Sequence, residues 1–575
     1  MSDPNEILGT FFGDDEFPVE WASEEEKQLF WFFDDNHVCR PISPMYWSLD
    51  GWWGPTLDYM YRRFGFPLGK AWIGKRVNGY LYSAIVPREA ESAGMLGPYY
   101  GFVMQTYAKN FLDWWQDRYL PEIFRNFEYI DNFDTEAASL PELMVYLEEA
   151  IDIQERHFRL HWILNLAQFQ SSMDLGAAVG EVVGEVDPSL IGRILVSIKD
   201  RNWDSLEGLW TLKEQVKADK ELKALFESGE TASAIMPALE ASPKGRDFLK
   251  NVQEYLDEFG YKASMYPHEY TNKLWVEDPT PAIENIKGYL ASDYDYPAQY
   301  KKTVEDHYAA IEELRNLVPD TATQAERDKL ENAIDLATRM MPLTPDHHFY
   351  FDQGTFARLR LVILAIGRRL VKEGLLDDPE DIMFLEYDQL RAYVANPKSA
   401  SNPDGYDGQK VITEARQAWQ NAHNIRPRDW VGTITQWAMY DEPYHTLWGW
   451  PQRWERAKAG ADQPKDEVHG LPAAAGLVEG LARVVRGPEE FDQVKKGEIM
   501  VCIMTNPAWV VVFSKIAAVV TDTGGVLAHT AVVAREFGIP AVVGTGDATY
   551  RIQTGDRVRV DGSTGVVEIL GNGRG

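Results

Sequence analysis

Thr523, Gly524 and Gly525, followed by His529, are the residues whose types and spacing most directly suggest chemistry. They stand between an apolar run, Ile516 to Val520, that reads as a buried strand, and Ala528 to Phe537, which reads as a helix stopped by Gly538 and Pro540. A helix N-terminus behind two glycines offers unpaired backbone N–H groups and the positive end of the helix dipole. Both suit a phosphoryl group. Neutral imidazole presents a lone pair at physiological pH and is a good phosphoryl acceptor. Thr523 and Thr530 are placed to orient the ring or its phosphate. The alternative is a solvent-facing histidine on an ordinary strand-to-helix connection.

The elements around this loop fall into three regions of different texture. Residues 1–135 are dense in aromatic residues, among them Phe30 to Phe33, Trp31, Trp47 and Tyr99 to Phe102, with a strand expected over Gly79 to Val86. Such clusters build a core, and they also suit a pocket for a flat aromatic ligand. Residues 136–455 carry helical periodicity, with Pro141 opening a helix that continues through Leu164, and further helices over Glu305 to Leu317 and Phe356 to Leu376. A polar stretch, Arg456 to Lys465, reads as a linker within 456–468. From 469 to 575 small and apolar residues alternate, and Arg557 to Val560 with Val566 to Ile569 flank a turn at Asp561 to Gly565, a hairpin pattern. The fold class expected is multidomain α+β: an aromatic-rich mixed N-terminal region, a mostly α-helical acceptor domain and a C-terminal β/α unit.

Bulk properties exclude several functions. The 575 residues carry a net charge of −32, which argues against nucleic acid as a partner. Asp466 onward holds 13 acidic and 10 basic residues, so the first four-fifths carries nearly all of that charge. Cys39 and Cys502 lie too far apart in sequence to suggest a disulfide framework. The acidic start lacks a signal-peptide pattern, and the longest apolar stretch, Ile499 to Val520, is broken by Asn506, Pro507 and Lys515. The expectation is a cytoplasmic protein with no membrane partner.

Thr523-x-Gly525 with His529, followed by Ala534-Arg535-Glu536-Phe537-Gly538-Ile539-Pro540-Ala541-Val542-Val543, resembles the phosphohistidine (swivelling) domain of the PEP-utilising enzymes. That family includes PEP synthase, pyruvate phosphate dikinase, rifampin phosphotransferase and phenylphosphate synthase. Where relatives often have Ser and Ala around the histidine, this chain has Ala528 and Thr530, and Thr505 to Trp509 corresponds to a family loop near the histidine. Phe30 to His37 resembles the histidine-carrying subunit of phenylphosphate synthase and similar aryl (cresol) phosphate synthases. Phe259 to Lys262, Trp275 to Pro279 and Leu376 to Leu385 resemble the central domain shared with rifampin phosphotransferase, with Tyr261 and Lys262 where relatives often have His-Arg.

The resemblance implies a phosphohistidine at His529 and a two-step transfer. No glycine-rich phosphate loop and no stretch long enough for a PEP-binding barrel is read in the sequence. ATP, with Mg2+ or Mn2+, is therefore expected on a separate ATP-grasp subunit, with ATP rather than PEP as the favoured source. The acceptor implied is a small phenol or cresol in aromatic-compound degradation. An antibiotic or alcohol acceptor, or a non-catalytic phosphocarrier in a relay, remain alternatives. Candidate bases for the acceptor hydroxyl are His37, which Asp34 or Asp35 could hold in one tautomer, His347 or His348, and His157 or His161. His157 and His161, one turn apart, would also suit a metal pair, but no metal site is assigned in this chain. Arg358 and Arg360 could clamp phosphate or be solvated helix charges. Trp31, Trp47, Asp34 and Lys262 are the remaining substrate-side candidates.

Overall fold

The computed structural model describes residues 17–572 except 36, 50–53, 229, 264–267, 292–294, 443–444, 446–449, 460–463, 465, 506–508, 514 and 526–527. Asn506 to Ala508, the middle of the expected Thr505 to Trp509 loop, lie outside the described residues, as does the start of the chain.

An antiparallel four-stranded sheet organises the N-terminal region, with strands β1 (Phe30–Phe33), β2 (Gly69–Val77), β3 (Tyr80–Pro87) and β4 (Trp430–Gly432) in the order β2-β3-β1-β4. β1 is buried on both faces. Its period-2 alternation sends Phe30 and Phe32 into the large central core, and Trp31 and Phe33 into a second cluster with Tyr80, Tyr82 and Val431. Burying each such Phe contributes about 2–3 kcal/mol. The β2–β3 hairpin turns through Asn78 and Gly79, both at positive φ. The fourth strand comes from some 400 residues further along the chain.

Helices fill the middle. The aromatic-dense N-terminal segment contains a 25-residue helix, α1 (Ala90–Trp114). The helix expected from Pro141 is α2 (Leu140–Val182), 43 residues and therefore about 65 Å long. Ser139 and Glu142 cap its start reciprocally, and Pro141 occupies the first turn. α3 (Arg201–Ala218), α4 (Thr280–Ala291) and α5 (Phe356–Lys372) follow. A π-helical segment, His348–Thr355, feeds directly into α5. The expected linker is corrected at its start: Arg456 to Ala459 form the last residues of α6 (Trp450–Ala459).

The C-terminal unit is an eight-stranded sheet built from β5 (Glu467–His469), β6 (Leu471–Ala474), β7 (Leu477–Val485), β8 (Ile499–Cys502), β9 (Ala518–Thr521), β10 (Ala541–Val543), β11 (Asp556–Asp561) and β12 (Val566–Asn572). Its order is β5-β12-β11-β7-β8-β9-β10-β6, with β7 to β10 parallel and the rest antiparallel. The expected hairpin is β11–β12. α7 (Val510–Phe513) packs against α4, and one apolar cluster runs from α3 and α4 through Trp509 and Phe513 to α8 (His529–Phe537). The architecture is multidomain α+β with a strand-rich C-terminal unit. Among the described residues no helix is long and apolar enough to cross a membrane.

Candidate functional site

β9 delivers the chain into the Thr523–Gly524–Gly525 loop, and α8 opens with the backbone of His529. Gly524 sits at φ +99°, a conformation that favours glycine, and a Cβ there would come within 3.0 Å of the Ala528 side chain. Ala528 is the extended residue before the helix, and its N–H donates to Gly525 O at 3.0 Å. Thr523 is fixed by its N–H and its hydroxyl, both donating to Ile503 O, at 2.9 and 3.1 Å. Thr530 Oγ1 meets Thr505 Oγ1 at 2.8 Å, buried. The side chain of His529 lies outside the described part of the structure, as do Val526 and Leu527. Beneath the loop, Asp522 accepts from Thr545 Oγ1 and from the Thr549 N–H, each at 3.1 Å. Burial pushes its carboxyl up to about 6 despite those bonds.

A second group of titratable side chains gathers around Asp352. The π-helical turn keeps His347, His348 and Asp352 on one side, a geometry that such insertions often serve at functional sites. His348 Nδ1 hydrogen-bonds Asp352 Oδ2. His268 Nε2 lies 3.3 Å, and His161 Nε2 from α2 lies 3.7 Å, from Asp352 Oδ1, while His347 Nε2 is 3.8 Å from Oδ2. Burial disfavours the Asp352 charge, but His348 and His268 overcome it and hold the carboxyl well below its usual range. Burial keeps His161 (down to about 3) and His347 neutral.

His37 stands at the edge of this group, its ring edge-on to His268 with centroids 5.9 Å apart. Its Nδ1 bonds Asp34 Oδ1 at 2.6 Å, and its side chain is 17% exposed while Asp34 is fully buried. A proton on Nδ1 directed at Asp34 leaves Nε2 as the lone-pair nitrogen. Burial pulls the His37 pKa down, and Asp34, with Asp352 and Asp35 further off, more than reverses this, so it lies above the ordinary value. Asp34 and His37 follow β1 directly, on the sheet against which the C-terminal unit rests: Ile503 and Met504 pack on the Trp31–Phe33–Tyr82 cluster. Nearby, Arg453 Nη2 donates to Asp35 at 2.8 Å.

The structure thus gathers His37, Asp34, His161, His347 and His348, and separates the other expected residues. His157 turns away, bonded to Asn126 at 3.0 Å and Thr355 at 2.8 Å, which corrects its reading as a base or metal partner of His161. Arg358 and Arg360 are corrected on both readings, since both are buried and committed to carboxylates of the fold. Arg358 forks onto Asp131 at 2.9 and 2.8 Å between the rings of Phe127 and Tyr261. Arg360, 1% exposed, is held by Glu277, Glu380 and Tyr270 O. Lys262 is buried elsewhere, donating to Ser205 at 2.8 Å and Tyr255 at 3.1 Å over the Trp275 ring, and burial takes its pKa down to about 7. Trp31 donates to Glu26 O on the far face of β1, and Trp47 packs against the central core. Sequence reasoning missed His268 and Asp352. Asp352 stands four and five residues after the paired histidines, a spacing that was readable, whereas nothing local marks His268.

Comparison with known proteins bears on the C-terminal loop first. Residues 494–565 match the PEP-utilising enzyme, mobile domain. The site loop lies inside that mobile-domain match. Residues 139–344 match the rifampicin phosphotransferase fourth domain, which takes in α2 and His161. Over 96% of its length the chain is 28% identical to an uncharacterized phosphotransferase, YvkC, of Bacillus subtilis (strain 168), of which it covers 64%. It is 31% identical over 36% of its length to the rifampicin phosphotransferase of Streptomyces sviceus, covering 21% of that protein. It is 46% identical over 20% of its length to the phosphoenolpyruvate synthase of Aeropyrum pernix, covering 15% of it. The chain spans less than two thirds of each of these relatives.

Proposed function

We propose that this chain is a phosphotransferase that receives a phosphoryl group on His529 and passes it to a hydroxyl of a small organic acceptor at the Asp34–His37 pair. The observation that carries this reading is the packing of Ile503 and Met504, from the loop that fixes Thr523, on the sheet that presents Asp34 and His37. In the transfer step the P–N bond breaks, its electron pair returns to the imidazole, and the acceptor oxygen forms the new P–O bond in line. His37 Nε2 takes the hydroxyl proton, and Asp34 holds the ring and stabilises the imidazolium. The phosphoryl source we assign is ATP, with Mg2+ or Mn2+, on an ATP-grasp polypeptide outside residues 1–575.

Two acceptor classes draw on different observations. The rifampicin phosphotransferase relatives favour an antibiotic hydroxyl. The aromatic-dense N-terminal region favours a phenol or cresol, whose hydroxyl, with a pKa of about 10, needs only a base near neutrality.

The test uses the full chain with a candidate ATP-grasp partner and ATP labelled in the β-phosphate, chased with rifampicin, phenol and p-cresol. Acid-labile label on wild type and not on His529→Ala, discharged by one of the acceptors, is the expected result. Absence of label with the partner active on another carrier overturns the phosphohistidine. Label that no hydroxyl compound discharges overturns the transfer.

A further inference from the structure

His161, His347 and Asp352 each bring a ligating atom to within 4.8 Å of the others, and all three side chains are buried. The separations to Asp352, one to each carboxylate oxygen, are of the length expected between ligands of a shared ion. At 3.7 and 3.8 Å, the two Nε2–carboxylate distances are too long for hydrogen bonds. Two donors each about 2.1 Å from a single ion, at a tetrahedral or slightly wider angle, stand about 3.4–3.8 Å apart.

Proton placement points the same way. His347 Nδ1 lies 3.3 Å from Leu343 O, so that nitrogen donates and Nε2 turns a lone pair toward a carboxylate oxygen. On His161, the Asn165 amide makes a 3.4 Å contact with Nε2 that an ion there would displace, and with Nδ1 lacking a hydrogen-bond partner among the described residues no bond fixes which nitrogen carries the proton. At His347 a lone pair facing an anion with no proton between them is repulsive, and a cation between them makes the contact attractive. His348 and His268, on the two oxygens of Asp352, supply the outer contacts that commonly orient a carboxylate ligand.

We propose that His161, His347 and Asp352 bind one divalent first-row transition metal ion, of the class that favours imidazole nitrogen, such as Zn2+ or Co2+. Three protein ligands leave at least one coordination position for water or an oxygen ligand. The binding site stands apart from the phosphotransferase reading. Within that reading the ion would lower the pKa of an acceptor hydroxyl bound to it.

The experiment is metal binding by the full chain after chelator treatment, without nucleotide or acceptor. Zn2+ retained after dialysis is counted by mass spectrometry, and Co2+ is titrated while its visible absorption is followed. One equivalent per chain is expected, with intense Co2+ bands that Zn2+ abolishes. His161→Gln and Asp352→Asn should weaken binding at least tenfold, and His469→Gln, which removes the His469–Glu467 surface pair, should leave it unchanged. Less than a tenth of an equivalent on folded wild type overturns the site, and so does binding that survives both core substitutions. Where a core variant does not fold, the wild-type Co2+ spectrum decides, because the weak bands of a fully hydrated ion overturn the site. Metal binding without phosphoryl transfer counts against the activity alone, and transfer by chain that takes up no metal counts against this site alone.

Discussion

The His529 loop and the Asp352 cluster are two concentrations of chemistry built in opposite ways. In the loop, the chemistry-bearing residues Thr523, Gly524, Gly525, His529 and Thr530 fall within eight consecutive positions, and the geometry follows from a strand end, a left-handed glycine and a helix start. In the cluster, His161, His268 and Asp352 come from three segments separated by about 100 residues each, with His37 reaching the edge from a fourth. The loop is shaped by its own glycine and helix start and is held by bonds to Ile503 and Thr505 within the same C-terminal unit. The cluster exists only while α2, the π-helical segment and the N-terminal sheet remain packed together. The difference also sets what each can tolerate: substitutions outside the C-terminal unit should leave the loop intact but can disperse the cluster.

The sharpest way to break the comparison is to remove one histidine from each side. His529→Ala should reduce acid-labile label to background while the thermal unfolding curve stays unchanged. His37→Gln should leave labelling intact and slow discharge to the acceptor by about 10²–10⁴-fold, the usual range for a positioned general base. Equal loss of labelling and discharge in the second variant would mean that His37 serves the fold instead.

Arg360→Met tests whether the cluster depends on distant support. It leaves Glu277 and Glu380 facing a buried neutral side chain, and breaking such a pair costs about 3 kcal/mol or more. Denaturant unfolding should report that loss. The affinity for acceptor in the folded fraction should not change, in contrast to what a phosphate clamp would give.

Asp34→Asn sharpens the comparison through pH. Asp34 raises the His37 pKa, so its removal lowers it. Since the base must be neutral, the acidic limb of the single-turnover discharge profile should move to lower pH, with a reduced plateau.

The smallest effect concerns Asp522 under the loop. Its carboxyl pKa is raised from 3.8 to about 6 in the folded protein, so the folded state holds the proton more tightly than the unfolded chain. Its contribution is most favourable below about pH 4 and is lost as pH rises through about 6. Asp522→Asn should flatten that part of the stability profile, measured by denaturant unfolding at a series of pH values.

The sequence was a good guide wherever the determinants are local. The helix expected over Ala528 to Phe537 is α8, with Ala528 as its cap, and Gly538 ends it at φ +65°. The Asp561–Gly565 turn gives the β11–β12 hairpin, and Ser139, Pro141 and Glu142 start α2. Arg358 and Arg360 show where this stops. Periodicity placed them on a helix, but their partners Asp131, Glu277 and Glu380 lie 20 to 227 residues away, and no spacing rule reaches that far. Likewise β4 completes the N-terminal sheet through a pairing that the three residues Trp430 to Gly432 do not announce.

By itself, then, the sequence determined the α+β class and the glycine loop with its helix, and it put Asp34 and Asp35 within reach of His37 without deciding between them. The tertiary structure alone decided that His161, His268, His347 and His348 converge on Asp352, that His157 does not, and that two arginines are bound to carboxylates. The physical reason is range. Helix starts, turns and left-handed glycines are set by steric and hydrogen-bond preferences within a few residues. Which remote side chains share one buried charge is set by how whole elements pack, a collective outcome that no single segment encodes.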